Sequence, residues 1–318
     1  MNLFVTGGTG VVGRRAIPLL ARAGHRITAV ARSAQKAALL QRLGALPVRL
    51  DLFDRRALCK AVPGHDAVIN LATHIPPSTA RLLLPGAWRE NDRIRRVASA
   101  NLVDAALAAS VQRFVQESFA PVYPDHGDAW IDESTPLQPA RFNASVADAE
   151  AAARRFGDAG RTSVVLRFAA FYGPDAYQTR DMINAVRRGW APLPGRADAF
   201  FSSISHDDAA SAVVAALALP AGIYNVSDDE PLTRGEVAAA LAAVLGVPPP
   251  RALPGWLTAL TGSLGELMSR SLRISNRRIR AESAWAPKYR SLREGWRAVV
   301  QAPQQPTAPS EEGRMNSA

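Results

Sequence analysis

The chain has 318 residues, 47% of them hydrophobic and 21% charged, with a formal net charge of +10. That length buries a substantial core, the composition is that of a globular rather than a disordered chain, and no apolar run reaches the roughly 18 residues of a membrane span. The positive charge is nearly all arginine and is spread along the chain. Its densest group, Arg270 to Arg280, has no interleaved aromatic residues, so it reads as a solvated face and not as a nucleic-acid site.

Met1 to Val5 read as a short apolar strand, with no basic leader before it. Thr6-Gly7-Gly8-Thr9-Gly10-Val11-Val12-Gly13 follows, and a helix-period run begins behind it. Glycines at 7, 10 and 13 allow a tight turn, close backbone approach to a pyrophosphate and close packing of helix on strand. The helix N-terminus then offers free N–H groups and a positive dipole end to phosphates. Pro18 removes a hydrogen bond two turns in and is expected to kink this helix.

Further strands are expected at His25–Ala31, Pro47–Leu50, Asp66–Ala72, Arg113–Gln116 and Ser163–Phe168, with helices over Asn91–Ala109 and Ala147–Phe156. Cys59 is expected in a short helix under the sheet. As the single cysteine it excludes an internal disulfide and fits a reducing cytoplasm. Alternating β and α segments predict an α/β fold: a doubly wound, Rossmann-type parallel sheet covered on both faces. Every strand then ends on one rim, where ligands bind. After the second strand stand Arg32 and Ser33, with Lys36 one helical turn on. Cations there attract a ribose 2′-phosphate where an acid would repel it. This favours NADP over NAD as cofactor, NAD staying open; in the alternative, Arg32 stacks on the adenine.

The ordered motifs resemble the extended short-chain dehydrogenase/reductase group, also called the NAD-dependent epimerase/dehydratase family. They are TGGTGVVG at 6–13, LDLFD at 50–54, VINLA at 68–72, RFVQES…VY at 113–123, DESTPLQP at 132–139 and VVLRFAAFYGP at 164–174. SHDDAA at 205–210, GIYNVSDDEPLTRGEVAAAL at 222–241 and SNRRIR…WAPKYRSLREGW at 275–296 complete the series. The resemblance implies a nucleotide domain of residues 1–170 plus about 205–226, and a smaller C-terminal α/β substrate domain from about 171–204 plus 227–300. Residues 301–318, rich in Pro, Gln and Ser, are expected to be a disordered tail. It also implies cofactor contacts at Gly7, Thr9, Gly10, Val11, Val12, Gly13, Arg32, Ser33, Asp51, Leu52, Leu71, Ala72, Thr73 and Phe168. The loop from Leu71 to His74 would pass the nicotinamide side. Asp207 and Asp208 would cap a helix, and a homodimer would form through the helices around 91–109 and 147–156.

The family's proton chemistry rests on a Ser/Thr and on Tyr-x-x-x-Lys, whose spacing sets Tyr and Lys on one helix face. Here Phe142 and Val146 stand at the Tyr and Lys positions, Phe119 stands at the hydroxyl position, and no lysine occurs between 60 and 288. Ser118, Tyr123, Glu117 and His74, placed at the rim after the fifth and fourth strands, are the candidate replacements; each also has a purely structural reading. The loop Asp125-His126-Gly127-Asp128 has metal-like composition, but no second cluster completes a site, so no metal is expected. Ala170 and Phe200-Phe201 stand where nucleotide-sugar relatives carry Asn and Arg. With Trp190 they point to a small, more apolar, non-nucleotide substrate. The function that follows is an NAD(P)-linked oxidoreductase or isomerase with a non-standard acid/base set, in the cytoplasm and with no nucleic-acid or membrane partner. The alternatives are a non-catalytic NADP(H)-binding sensor or scaffold, and a non-redox dehydratase or cyclase.

Overall fold

The computed structural model describes residues 1–76, 78, 81, 84, 86–252, 265 and 269–302. Seven parallel strands form the central sheet. They are β1 (Asn2–Thr6), β2 (Arg26–Ala31), β3 (Leu46–Arg49), β4 (Ala67–Asn70), β5 (Arg113–Phe119), β7 (Thr162–Phe168) and β11 (Gly222–Val226). Their order across the sheet is β11-β7-β5-β4-β1-β2-β3; the short strands β6 (Trp130–Ile131), β8 (Ala170–Tyr172), β9 (Phe200–Phe201) and β10 (Ser203–Ser205) and the helix α10 (Arg277–Glu282) lie outside it. The direction of winding reverses beside β1, so the crevice at the carboxyl ends of β1 and β4 is where such a sheet takes its ligand.

The strands are nearly continuous in apolar residues because both faces are covered. On one face α1 (Gly13–Arg22) and α8 (His206–Ala215) pack Ile17, Leu20, Ala212 and Val213 against Leu3, Val5, Ile69 and Leu166. On the other, α3 (Arg55–Ala61), α5 (Ser99–Ala108) and α6 (Val146–Asp158) pack Leu58, Leu102, Val103 and Phe156 against Phe4, Val68 and Phe114. A separate core joins α7 (Tyr177–Arg187), α9 (Arg234–Leu245) and α11 (Leu292–Gln301) through Val186, Val237, Leu241 and Trp296. No helix among the described residues is long and apolar enough to cross a membrane.

Several expectations need correction. β5 runs three residues further than predicted, to Phe119. The stretch 91–109 is not one helix: α4 (Arg89–Arg93) passes through a π turn, Ile94–Ala98, into α5. Cys59 does lie in α3, but on its outer, exposed face. The cap of α8 is Ser205, whose hydroxyl oxygen accepts from Asp208 N at 3.0 Å; Asp207 and Asp208 occupy the first turn, where the helix dipole favours acids. α1 continues through Pro18 as one element. The tail from residue 303 lies outside the described residues, while 301 and 302 close α11.

Candidate functional site

The glycine loop divides its three glycines between two tasks. A Cβ on Gly7 would stand 2.2 Å from the carbonyl oxygen of Leu71, and one on Gly13 2.3 Å from that of Gly7. Gly7 also holds φ at +69°, a conformation natural to glycine. These two are required by the fold itself. Gly10 is exposed, and a Cβ there would meet only Gly7 O, at 3.2 Å. Its outer side is open, as a backbone that receives a pyrophosphate must be. Gly10 N donates to Gly7 O at 2.9 Å and fixes the turn, and α1 begins three residues later. The cradle therefore fits a dinucleotide.

At the far end of that groove Arg32 is exposed at the tip of β2. Ser33 caps α2 (Ala34–Arg42), its oxygen accepting from Lys36 N at 3.3 Å. Arg32, Lys36 and the positive end of α2 thus share one corner. Asp51 turns its carboxylate onto Phe53 N at 3.0 Å, and Asn101 holds Leu52 O at 3.2 Å. Leu71 and Ala72 are buried and Thr73 half-buried, lining the crevice after β4. Phe168 is fully buried, with its ring 5.4 Å from that of Phe171. Its side chain packs within the core.

Ser118 and Tyr123 do not stand at the rim. Because β5 extends to Phe119, Ser118 lies inside the strand and points to the face covered by α6. It is 1% exposed, and its hydroxyl donates to Glu150 Oε1 at 2.6 Å. Glu150, from α6, accepts from Arg167 Nε at 2.8 Å and from Nη2 at 2.7 Å. Arg167 Nη1 donates to the Tyr123 hydroxyl at 2.8 Å, and that hydroxyl donates to Asn225 Oδ1 at 2.8 Å. Tyr123 is 0% exposed, and burial raises its phenol above the usual value, with Arg167 pulling the other way. A catalytic phenol needs the opposite shift. The network is an internal one that ties β5, β7, β11 and α6 together. Arg167, its centre, lies inside the VVLRFAAFYGP stretch, but nothing local in that motif marks its pairing with Glu150.

Glu117 and His74 remain beside the crevice. Glu117 faces the other side of β5 from Ser118; burial pushes its carboxyl up, Arg95 opposing and Glu150 adding. Arg95 Nη2 stands 3.9 Å from Glu117 Oε1. His74 is half-buried, and its backbone N–H donates to Asn91 Oδ1 at 2.9 Å. Asn91 and Arg95 were not anticipated from the sequence. Arg95 lies among Ile94, Ala98 and Leu102, and a charge interrupting that apolar run was the available signal.

Phe142 sits in a 3-10 turn, Arg141–Asn143, just before α6, with its ring 4.9 Å from that of Trp88. Val146 opens α6 and is buried. Neither side chain can carry a proton. Tyr177 closes the neighbouring edge, its hydroxyl donating to Pro76 O at 2.8 Å. Phe200 and Phe201 form β9, and Arg273 lies 4.7 Å over the Phe200 ring and 4.3 Å over Trp130. Among the described residues no group of three His, Cys, Asp or Glu side chains is placed to hold a metal ion.

A charged cluster joins α1 to the elements beyond the sheet. Asp175 takes Arg14, Arg15 Nη2 at 3.1 Å and His206 Nδ1 at 3.1 Å, while Arg15 Nε reaches Asp207 at 2.7 Å. A cavity of about 130 Å³ opens beside it, lined by Arg15, Tyr172, His206 and Tyr289 but by none of the glycine loop. Burial, then Arg15 and Arg14, push His206 down to about 3. His206 is therefore neutral, its Nδ1–H donating to Asp175. A histidine in the unfolded chain protonates near pH 6.5, so below that pH the unfolded state takes up a proton that the native state refuses. The native state should lose about 2 kcal/mol from this group between pH 7 and pH 5. Raised carboxyls such as Glu117 and Asp228 act in the opposite sense. The measurement is thus the difference between urea midpoints of the native chain and His206→Gln at the two pH values. Parallel curves would show that His206 protonates in place.

A model described as the NAD dependent epimerase/dehydratase family matches residues 3–227. A 3-diazoavenalumate denitrifying reductase from a Streptomyces species is 32% identical over 311 residues, 93% of this chain and 99% of that protein. A 2-alkyl-3-oxoalkanoate reductase from Shewanella oneidensis is 28% identical over 296 residues, 85% of this chain and 73% of its own length. Among solved structures, a human epimerase family protein with NADPH superposes with a TM-score of 0.79 at 23% identity, covering 94% of this chain and 99% of that one. A Thermus thermophilus UDP-glucose 4-epimerase complex with NAD gives 0.72 at 25% identity, covering 94% and 98%.

Proposed function

This chain belongs to the NAD-dependent epimerase/dehydratase family, and from that premise we propose that it is an NADP(H)-linked reductase whose substrate needs hydride but no proton from the protein. The observation that carries this reading is the pair Phe142 and Val146. At the positions where the resemblance expects the proton-moving Tyr and Lys, the chain has an aromatic ring packed on Trp88 and a buried valine. A bound nicotinamide supplies the hydride. Ketone reduction also requires an acid at the carbonyl oxygen, which these residues do not provide. Ser118 and Tyr123 do not supply it either, being held in the buried network around Arg167.

The Streptomyces relative is named for a diazo substrate, loss of nitrogen and reduction. With the substrate as a diazonium cation the reaction balances without a proton from the protein. On a diazonium carbon one C–H bond forms from hydride, the C–N bond breaks, and dinitrogen leaves with the bonding pair. The chain's own work is then to bind, orient and exclude water. The Trp88–Phe142 pair offers a water-excluding apolar wall, and the half-buried Ala170, Phe200 and Phe201 suit a small substrate without a nucleotide diphosphate. His74 and Glu117 border the site as orienting groups.

The test is NADPH oxidation with 4-carboxybenzenediazonium and, separately, with a 2-alkyl-3-oxo acid, each against an enzyme-free control. Enzyme-dependent oxidation with one dinitrogen released per NADPH is expected for the first and none for the second. Reduction of the oxo acid alone would overturn the reading and put a proton donor back in the site. Tight cofactor binding with no turnover of either would favour a cofactor sensor.

The corner at Arg32 carries the cofactor preference. NADPH should bind more tightly than NADH, and Arg32→Ala should narrow the gap by about tenfold, the size of one charge-assisted contact to phosphate. Calorimetry with both dinucleotides reads this; equal affinities in the native chain would show that Arg32 stacks on adenine instead.

A further inference from the structure

Three buried polar atoms beside the crevice have no hydrogen-bond partner: Asn91 Nδ2, Arg95 Nε and Glu117 Oε2. Their residues are 0%, 4% and 8% exposed. A buried polar group left unpaired costs about 1–3 kcal/mol, so three on adjoining elements mark a place shaped for something else. Asn91 and Arg95 are four apart and share one helix face. Arg95 sits in the π turn, a distortion that recurs at functional sites. Glu117 approaches from β5, and its 3.9 Å separation from Arg95 allows attraction but no hydrogen bond. The other end of Asn91 holds the backbone of His74 at 2.9 Å, which sets Asn91 against the loop that follows β4.

Chemically the set is two donors and one acceptor. A carboxylate ligand would satisfy the donors but meet Glu117 oxygen to oxygen, and an ammonium would leave both donors unmet. A primary carboxamide answers all three, with a carbonyl oxygen that accepts twice and an NH2 that donates. We propose that Asn91, Arg95 and Glu117 form the socket for the carboxamide of the nicotinamide ring. Asn91 Nδ2 and Arg95 Nε donate to its oxygen, and Glu117 accepts from its nitrogen. The inference rests on the cofactor reading above. It assigns these residues a positioning role: a ring gripped by its carboxamide cannot turn over, so one face is presented to the substrate.

The experiment compares NADP+ with its 3-acetylpyridine analogue, in which a methyl group replaces the carboxamide NH2, by calorimetry without turnover. The native chain should prefer NADP+ by about tenfold, the worth of one hydrogen bond. Glu117→Leu should bind both alike. Asn91→Ala, which touches only the shared carbonyl, should weaken both equally and keep the preference. It also serves if Glu117→Leu fails to fold, which thermal melting would reveal. A native chain that binds the two equally, a preference that survives in Glu117→Leu, or a preference lost in Asn91→Ala would overturn the socket while leaving the cofactor reading standing. Failure of the native chain to bind either dinucleotide would overturn both.

Discussion

Gly10→Val should abolish dinucleotide binding and leave the chain folded. The geometry separates this glycine from its neighbours. A side chain at Gly7 or Gly13 would collide with backbone at 2.2 or 2.3 Å, and the strand–helix joint would have to open. At Gly10 the added Cβ meets only Gly7 O at 3.2 Å, a contact that a few tenths of an ångström relieve. The rest of the valine occupies the open side where a pyrophosphate must touch the backbone. Affinity should fall by more than about a hundredfold, since both close approach and the N–H groups of the helix start are denied to the phosphates. Calorimetry with NADPH reads the loss, and an unchanged melting temperature shows that the loss is local. A variant that binds normally would mean that the phosphates lie elsewhere.

The second large effect concerns stability. Glu150→Ala leaves Arg167, 3% exposed, without the carboxylate that takes two of its hydrogen bonds. Removing one partner of a buried ion pair costs about 3–5 kcal/mol, because the remaining charge stays out of water. Against a typical stability of about 5–15 kcal/mol this is a large fraction. The urea midpoint should drop accordingly. The double variant Glu150→Leu with Arg167→Met should recover much of it, since an apolar pair leaves no charge stranded. It also leaves Ser118 and Tyr123 short of a partner, so recovery is incomplete. A midpoint in Glu150→Ala close to that of the native chain would show that water reaches Arg167.

The first β–α unit was legible because its signals are local. An apolar run, three spaced glycines and a helical period are each visible in a window of a dozen residues, and all agree. The parallel sheet followed from the alternation of segments. The crevice was less legible. Ser118 looked like a rim residue because the sequence ends β5 three positions early, and a strand's alternation decides which face each side chain joins; Tyr123 lies beyond the strand, after the 3-10 turn Ala120–Val122, and is buried with Ile131, Leu272 and Ile274 from distant segments. Phe168 looked accessible because it ends a strand, but β11 and the segment around Phe171 close over it. Glu150 and Arg167 meet across 17 positions and two elements. Only the folded chain brings them together, and nothing in either local stretch announces it. Asn91 and Arg95 were hidden differently: a single amphipathic helix over 91–109 assumes an unbroken 3.6-residue period, which the π turn interrupts.

That π turn sets the phase of everything before it. A π turn holds one more residue than the α-helix would use in the same length. Deleting one residue within Ile94–Ala98 would let α4 and α5 fuse into one regular helix, at little cost to the helix itself. Each residue accounts for about 100° of rotation, so Asn91 would swing away from His74 and Arg93 would leave the Phe53 ring it now covers at 3.6 Å. The chain would remain helical and the crevice would lose its floor. Length variation should therefore be tolerated at surface turns such as Gly64 or Gly160, where a Cβ meets nothing within 4 Å, and forbidden at this one internal position. A one-residue deletion scan, read by folding and by cofactor binding separately, would display the two classes as different losses.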